Sequence, residues 1–208
     1  MAGHRPQGRE ETRDALVRAA DALFAEKGPN AVTVREIAAR AEVNHGLVHR
    51  HFGSKEALLD AVLDRHMAAF KTALRSAGTI DEAIPVLQAV QQDRPGFARM
   101  MAFLILERRA TEDFTRPAGG TADLADIIRS GGPADDDAAR AAAAMVTAFS
   151  LGWTLFRDFT VTAAGCRQSP GDMNRMAMAA LLALARPPAE PQGPEQRPEQ
   201  GLEGGPEV

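Results

Sequence analysis

The chain has one cysteine, one tryptophan and no tyrosine among its 208 residues, and other familiar features are missing too. A single thiol, Cys166, cannot close an intrachain disulfide and suits a reducing compartment. With Gly165 before it and only Arg167 beside it to lower its pKa, Cys166 reads as an incidental loop thiol rather than a redox sensor. No run approaches about 18 uninterrupted apolar residues, and the opening MAGHRPQGRE has no apolar signal core. A soluble, cytoplasmic protein with no membrane partner is therefore expected. There is no glycine-rich phosphate loop and no Ser/His/Asp arrangement, and histidine is absent after His66. Neither an enzyme nor a cofactor is expected. A positive surplus is missing as well. The net charge of −4 argues against a protein that coats nucleic acid generally.

What is present is unevenly placed. Apolar residues make up 45% of the chain, ample for a core. Six of the 13 prolines and four of the 18 glycines fall in residues 187–208, together with five glutamates. That tail cannot bury enough apolar surface to offset its ordering entropy, so it is expected to be disordered. Residues 1–11 read as a flexible arm. A first helix should start at Thr12 and end at Gly28-Pro29, with Leu16, Ala19, Ala20, Leu23 and Phe24 as its buried stripe.

Residues 33–55, TVREIAARAEVNHGLVHRHFGSK, are the most informative stretch. Thr33-Val34-Arg35-Glu36 is a capping box, and Ile37, Ala38 and Ala41 continue the apolar face that Val34 begins. Glu42-Val43-Asn44 breaks that helix, and Asn44 can cap a second one ending near Phe52. Two short helices joined by a tight turn make a helix-turn-helix, with Ala38 small at the crossing and Val43 plugging the turn. Arg35, Arg40, Arg50 and Lys55 here face only Glu36 and Glu42, a local basic footprint on an acidic chain.

At these residues the chain resembles the TetR family of bacterial transcriptional regulators. Phe24 to Gly28, Thr33, Ile37-Ala38, Ala41, Val43, Gly46, His51-Phe52 and Ser54-Lys55-Glu56 with Leu58 match that family's pattern at fixed spacing. Three positions depart from it. Glu42 stands where the family usually has glycine, Val48 where it has leucine, and His49 where it has a phosphate-contacting tyrosine. The resemblance implies an all-α fold with an N-terminal three-helix head at 12–53. It also implies a C-terminal ligand-binding and dimerisation domain at 54–186, and a homodimeric repressor released by a small molecule.

Beyond the head, Ser54 caps a fourth helix with Leu58, Leu59, Val62, Leu63 and Met67 inward. Thr79-Ile80-Asp81-Glu82 is a second capping box, and Pro85 should make that helix start late or kink. The helix around Phe97 to Glu107 is apolar nearly all round and should be buried. Two long alanine-rich helices, one from Asp135 through Phe156 and one from Met173 to Leu184, suit a four-helix interface between two copies.

Sequence-specific reading needs side chains at base edges and others at phosphates. Asn44, His45, Leu47 and His49 are expected to project from the second short helix toward double-stranded DNA, a palindromic operator. Arg35 could reach a base or a phosphate, while Thr33 and Lys55 sit at helix starts that favour phosphate. His45 and His49 have the spacing of a metal pair but no third ligand presents itself, so no metal is expected. Met100, Phe103, Leu104, Glu107, Phe149, Trp153 and Phe156 offer the apolar bulk of a pocket for a small hydrophobic ligand, with Glu107 as its polar anchor. A salt bridge of Glu107 with Arg99, Arg108 or Arg109 is the plainer reading of that carboxylate. The rival to a DNA-binding regulator is a helical ligand-binding or protein-interaction module whose head no longer reads DNA.

Overall fold

The computed structural model of the chain describes residues 8–107, 120–132 and 134–186. Residues 1–7 of the expected arm, the tail at 187–208, and Arg108 and Arg109 lie outside them. Every regular element among the described residues is a helix. In chain order these are α1 (Arg9–Lys27), α2 (Val34–Arg40), α3 (Gly46–Phe52), α4 (Lys55–Leu74) and α5 (Ile80–Gln92). Then come α6 (Pro95–Leu106), α7 (Thr121–Ser130), α8 (Asp136–Ala163) and α9 (Pro170–Leu184).

Two helix starts differ from the sequence-based expectation. Helix α1 begins at Arg9, three residues before Thr12, because Glu10 and Glu11 favour its first turn and the Thr12 hydroxyl donates to Gly8 O at 2.7 Å. Thr12 is thereby buried inside the helix. Pro85 does not delay α5, which starts directly after Thr79. Proline removes one backbone donor, whereas the Thr79 hydroxyl takes the Glu82 N–H and the Glu82 carboxylate takes the Gly78 N–H at 2.8 Å.

Apolar residues gather in two cores. In the first, Leu16, Ala20 and Phe24 of α1 meet Ile37 and Ala38 of α2, Val48 of α3 and Leu58 and Val62 of α4. Phe97, Met100 and Leu104 of α6 complete it. Leu16, Phe24, Ile37, Val48 and Leu58 are wholly buried, each contributing about 1.5–3 kcal/mol. The second core joins Leu74 at the end of α4 to Ile84, Leu124, Ile128, Val146 and Leu181 of α5, α7, α8 and α9. Helix α4 therefore runs between the two. Buried His66 of α4 bonds Asp21 of α1 through Nε2 at 2.9 Å and packs tilted against the Phe97 ring, 4.8 Å between centroids.

Close approach also ties α6 to α1. A Cβ on Gly28, which has φ of 81°, would lie 2.9 Å from the Phe103 ring, so only glycine lets α1 end under that ring. The expectation that α6 is buried all round fails at its end. Ile105 and Leu106 are 54% and 81% exposed, because the last turn runs past the helices that cover Phe97 to Leu104.

Candidate nucleic-acid interface and inner cavity

The helix-turn-helix is built from local bonds. The Thr33 hydroxyl accepts from Glu36 N–H at 3.2 Å, and the Glu36 carboxylate accepts from Thr33 N–H at 2.8 Å, completing the capping box. Lys27 of α1 donates to the same carboxylate at 2.8 Å. That bond, followed by those from Thr33, holds the Glu36 pKa at about 2, well below its ordinary 4.5. In the turn, Val43 N–H reaches Ala38 O at 3.0 Å, and half-buried Val43 packs against the core. Glu42 has φ of 56°, the one non-glycine residue at positive φ among the described residues. A side chain there costs roughly 1–2 kcal/mol relative to glycine. The Asn44 Oδ1 accepts from Gly46 N–H at 2.8 Å at the entrance to α3, whose N-cap is His45 rather than the expected Asn44.

Helix α3 presents one face to solvent. Val48 is wholly buried, while Asn44, His45, His49 and Arg50 are exposed and Leu47 is half-buried. The His49 Nδ1 lies 3.0 Å from Gly53 O. A carbonyl only accepts, so Nδ1 carries the proton in that bond. Neighbouring basic groups divide sharply. Lys27 and Arg40 are paired with Glu36 and Glu26, whereas exposed Arg35 and Arg50 have no ion pair among the described residues. Arg13 of α1 lies over the Phe52 ring, 5.4 Å from its centroid. Arg50 was not singled out in the sequence because, beside two histidines, nothing distinguished its outward position; freedom from a carboxylate partner does.

Two expected phosphate contacts are held differently. The Thr33 hydroxyl donates its proton to Glu36 at 2.8 Å. Lys55 Nζ donates to Pro29 O and Val32 O, both at 3.0 Å, and so staples the α1–α2 loop to the start of α4. Neither Lys55 bond was visible in sequence, because the partners are backbone carbonyls more than twenty residues away.

A cavity of about 190 Å³ lies where α4, α5, α6, α7 and α8 meet. Met67, Phe70, Phe97, Met101, Leu124 and Leu151 supply much of its apolar wall, and Gln91, Thr121, Thr147 and Ser150 its polar part. None of the seven expected ligand residues lines it. Met100 and Leu104 belong to the first core, Phe103 covers Gly28, and Glu107 closes α6 with a buried Oε2 that has no partner among the described residues. Phe149 stacks on Trp153 at 6.0 Å, and Phe156 is 57% exposed. The reason is angular. Helix α6 is apolar around most of its circumference, so its pattern cannot say which face borders a void. On α8, helical spacing puts Phe156 opposite Val146, Thr147, Ser150 and Leu151, while Phe149 and Trp153, three and seven residues from Val146, sit at the edge of the cavity-lining face, Phe149 packing against the second core.

That opposite face is open. Four of the six exposed large apolar side chains among the described residues lie on α8 and α9: Met145, Phe156, Phe159 and Met176. Such a patch on two adjacent helices is the mark of an interaction surface.

Residues 16–62 match the family model of bacterial regulatory proteins of the tetR family. The HTH-type transcriptional repressor Rv3405c of Mycobacterium tuberculosis is 38% identical over 173 residues, covering 83% of this chain and 88% of that protein. Among solved structures, SCO4942 of Streptomyces coelicolor superposes with a TM-score of 0.63 at 26% identity over 84% of this chain and 96% of that one. The TetR-family regulator SCO0857 of Streptomyces coelicolor gives 0.52 at 25% identity over 88% and 99%.

Proposed function

The chain belongs to the TetR family of bacterial regulatory proteins, and from that premise we propose a homodimeric repressor that leaves its operator when a small apolar molecule fills the inner cavity. It is a DNA-binding transcriptional regulator. Residues 12–53 act as the reading head and 54–186 as the sensing and pairing body, working in the cytoplasm.

The observation that carries the reading is the outward face of α3. Asn44, His45 and His49 are exposed and Leu47 is half-buried, on and just before a helix whose buried residue is Val48, with no core role to explain the exposed ones. They are assigned to base edges, with Arg50 beside them. Arg35 is assigned to a base or phosphate, and the helix starts at Thr33 and Lys55 to backbone phosphates through their N–H groups. Two copies joined through α8 and α9 place two such heads in two-fold symmetry, which calls for a palindromic site. The open Phe156 and Phe159 support that pairing.

The cavity supports the release step. Its wall includes Met67 and Phe70 of α4, the helix that begins at the head, and Phe97 and Met101 of α6, whose Phe103 presses on the end of α1. A ligand acts through its differential affinity for two arrangements, and these two helices connect the cavity to the head. A gel shift with the DNA flanking its own gene tests the reading. Wild type should retard it, and Phe156→Asp with Phe159→Asp should sediment as monomer and bind at least about tenfold more weakly. A dimer that persists in the double variant, or no retardation by wild type, would refute it.

A further inference from the structure

We infer that the cavity takes an uncharged, mainly apolar molecule bearing one hydrogen-bond donor, a hydroxyl or amide N–H, which it gives to Gln91 Oε1; this rests on the reading of the cavity as the signal site. The first ground is charge. No ionisable side chain lines the cavity among the described residues. A carboxylate moved from water into such a lining finds no counter-charge, and its desolvation outweighs what the apolar wall returns.

The second ground is where each proton sits. Gln91 is buried on α5, and its Nε2 lies 2.8 Å from the Ser150 carbonyl and 2.6 Å from Thr154 Oγ1. A carbonyl only accepts, so the amide nitrogen must be the end facing it. Thr154 Oγ1 gives its own proton to Ser150 O at 2.9 Å and therefore accepts from Gln91. Both amide protons are thus occupied. Among the described residues Gln91 Oε1 has no hydrogen-bond partner, and it is not one of the sealed, unpartnered atoms, which are His66 Nδ1 and Glu107 Oε2. Gln91 lines the cavity, and its free oxygen is therefore assigned to that wall.

The threonine pair on the same wall repeats the logic. Thr147 Oγ1 donates to Ala143 O at 2.9 Å, so across the 3.1 Å contact Thr121 must be the donor and Thr147 the acceptor. Thr121 Oγ1 is left with lone pairs only. Two acceptors and no charged side chain among the described residues line the void; Ser150 Oγ, which accepts from Gln88 Nε2 at 3.2 Å, keeps a proton with no acceptor among them, and a neutral group that donates and also accepts complements all three.

The test is calorimetric titration of the full chain at pH 8 with 1-octanol, methyl octyl ether and octanoate, which share an apolar tail and differ in the head. Octanol should bind about tenfold more tightly than the ether, the effect of one neutral hydrogen bond. Octanoate should bind at least about a hundredfold more weakly than octanol. Gln91→Leu should erase the alcohol-over-ether ratio, a comparison within one variant that a general loss of stability would not mimic. Leu151→Phe, which grows into the void, should weaken all three. Octanoate or the ether binding as well as octanol would overturn the inference and leave the cavity as a site. No binding by any of the three, or binding indifferent to Leu151→Phe, would overturn the inference and the cavity reading together.

Discussion

Around α1, α2 and α3, Leu16, Phe24, Ile37 and Val48 are wholly buried, whereas along α8 Phe156 and Phe159 are 57% and 73% exposed. Both regions use the same apolar side chains on helices, yet one closes on itself and the other does not. The body also leaves a cavity of about 190 Å³ beside its own core. The head's apolar surface is fully covered within the chain, by α4 and α6 as well as its own helices, which holds one face of α3 rigid. The body is incomplete twice over, on an outer face that a second copy would cover and in an inner void that a ligand would fill.

The sharpest way to break this contrast is to change volume in each region. Phe24→Ala should destabilise the protein by about 3–5 kcal/mol in urea unfolding, since the closed head cannot relax around the hole. Leu151→Phe adds volume beside the void and should cost less than about 1 kcal/mol. Equal losses would mean that the body is as tightly packed as the head. Next in size, Lys55→Met should remove about 1–3 kcal/mol, because two carbonyls of the α1–α2 loop lose a charged donor. If the melting temperature holds and only operator affinity falls, the staple is unimportant and the ammonium serves phosphate instead.

Glu42→Gly should raise stability by about 1 kcal/mol by relieving the positive φ in the turn, without altering which sites are bound. A loss of stability would show that the Glu42 side chain makes a compensating interaction. The smallest effect concerns acid. The Glu36 pKa is lowered when the head folds, so its contribution is present above its ordinary 4.5 and fades as pH falls toward about 2. Glu36→Gln should flatten the acid limb of stability across that window in urea titrations at stepped pH. An unchanged limb would mean that other carboxylates set it.

The same contrast explains what could be read from sequence. The head's bonds are local: Thr33 to Glu36, Asn44 to Gly46 and Val43 to Ala38 span two to five residues, so spacing alone announced them. The stripes on α1 and α2 were equally legible. The Lys55 staple was not, because its partners are carbonyls brought near by the fold. In the body, aromatic bulk at Phe149, Trp153 and Phe156 signalled an apolar need without saying whether ligand, core or second copy would meet it. The cavity's walls come from five helices, and its polar atoms, led by Gln91, look ordinary in sequence.

The central claim is that the outward face of α3 reads DNA from a paired, two-fold arrangement. Footprinting on the region upstream of its own gene, with wild type, His49→Ala and Arg50→Ala compared at matched salt, tests it most directly. The account predicts two protected half-sites about one or two helical turns apart, centre to centre, and weakened protection in both variants at unchanged melting temperature. A single unpaired footprint, or full protection by both variants, would contradict it.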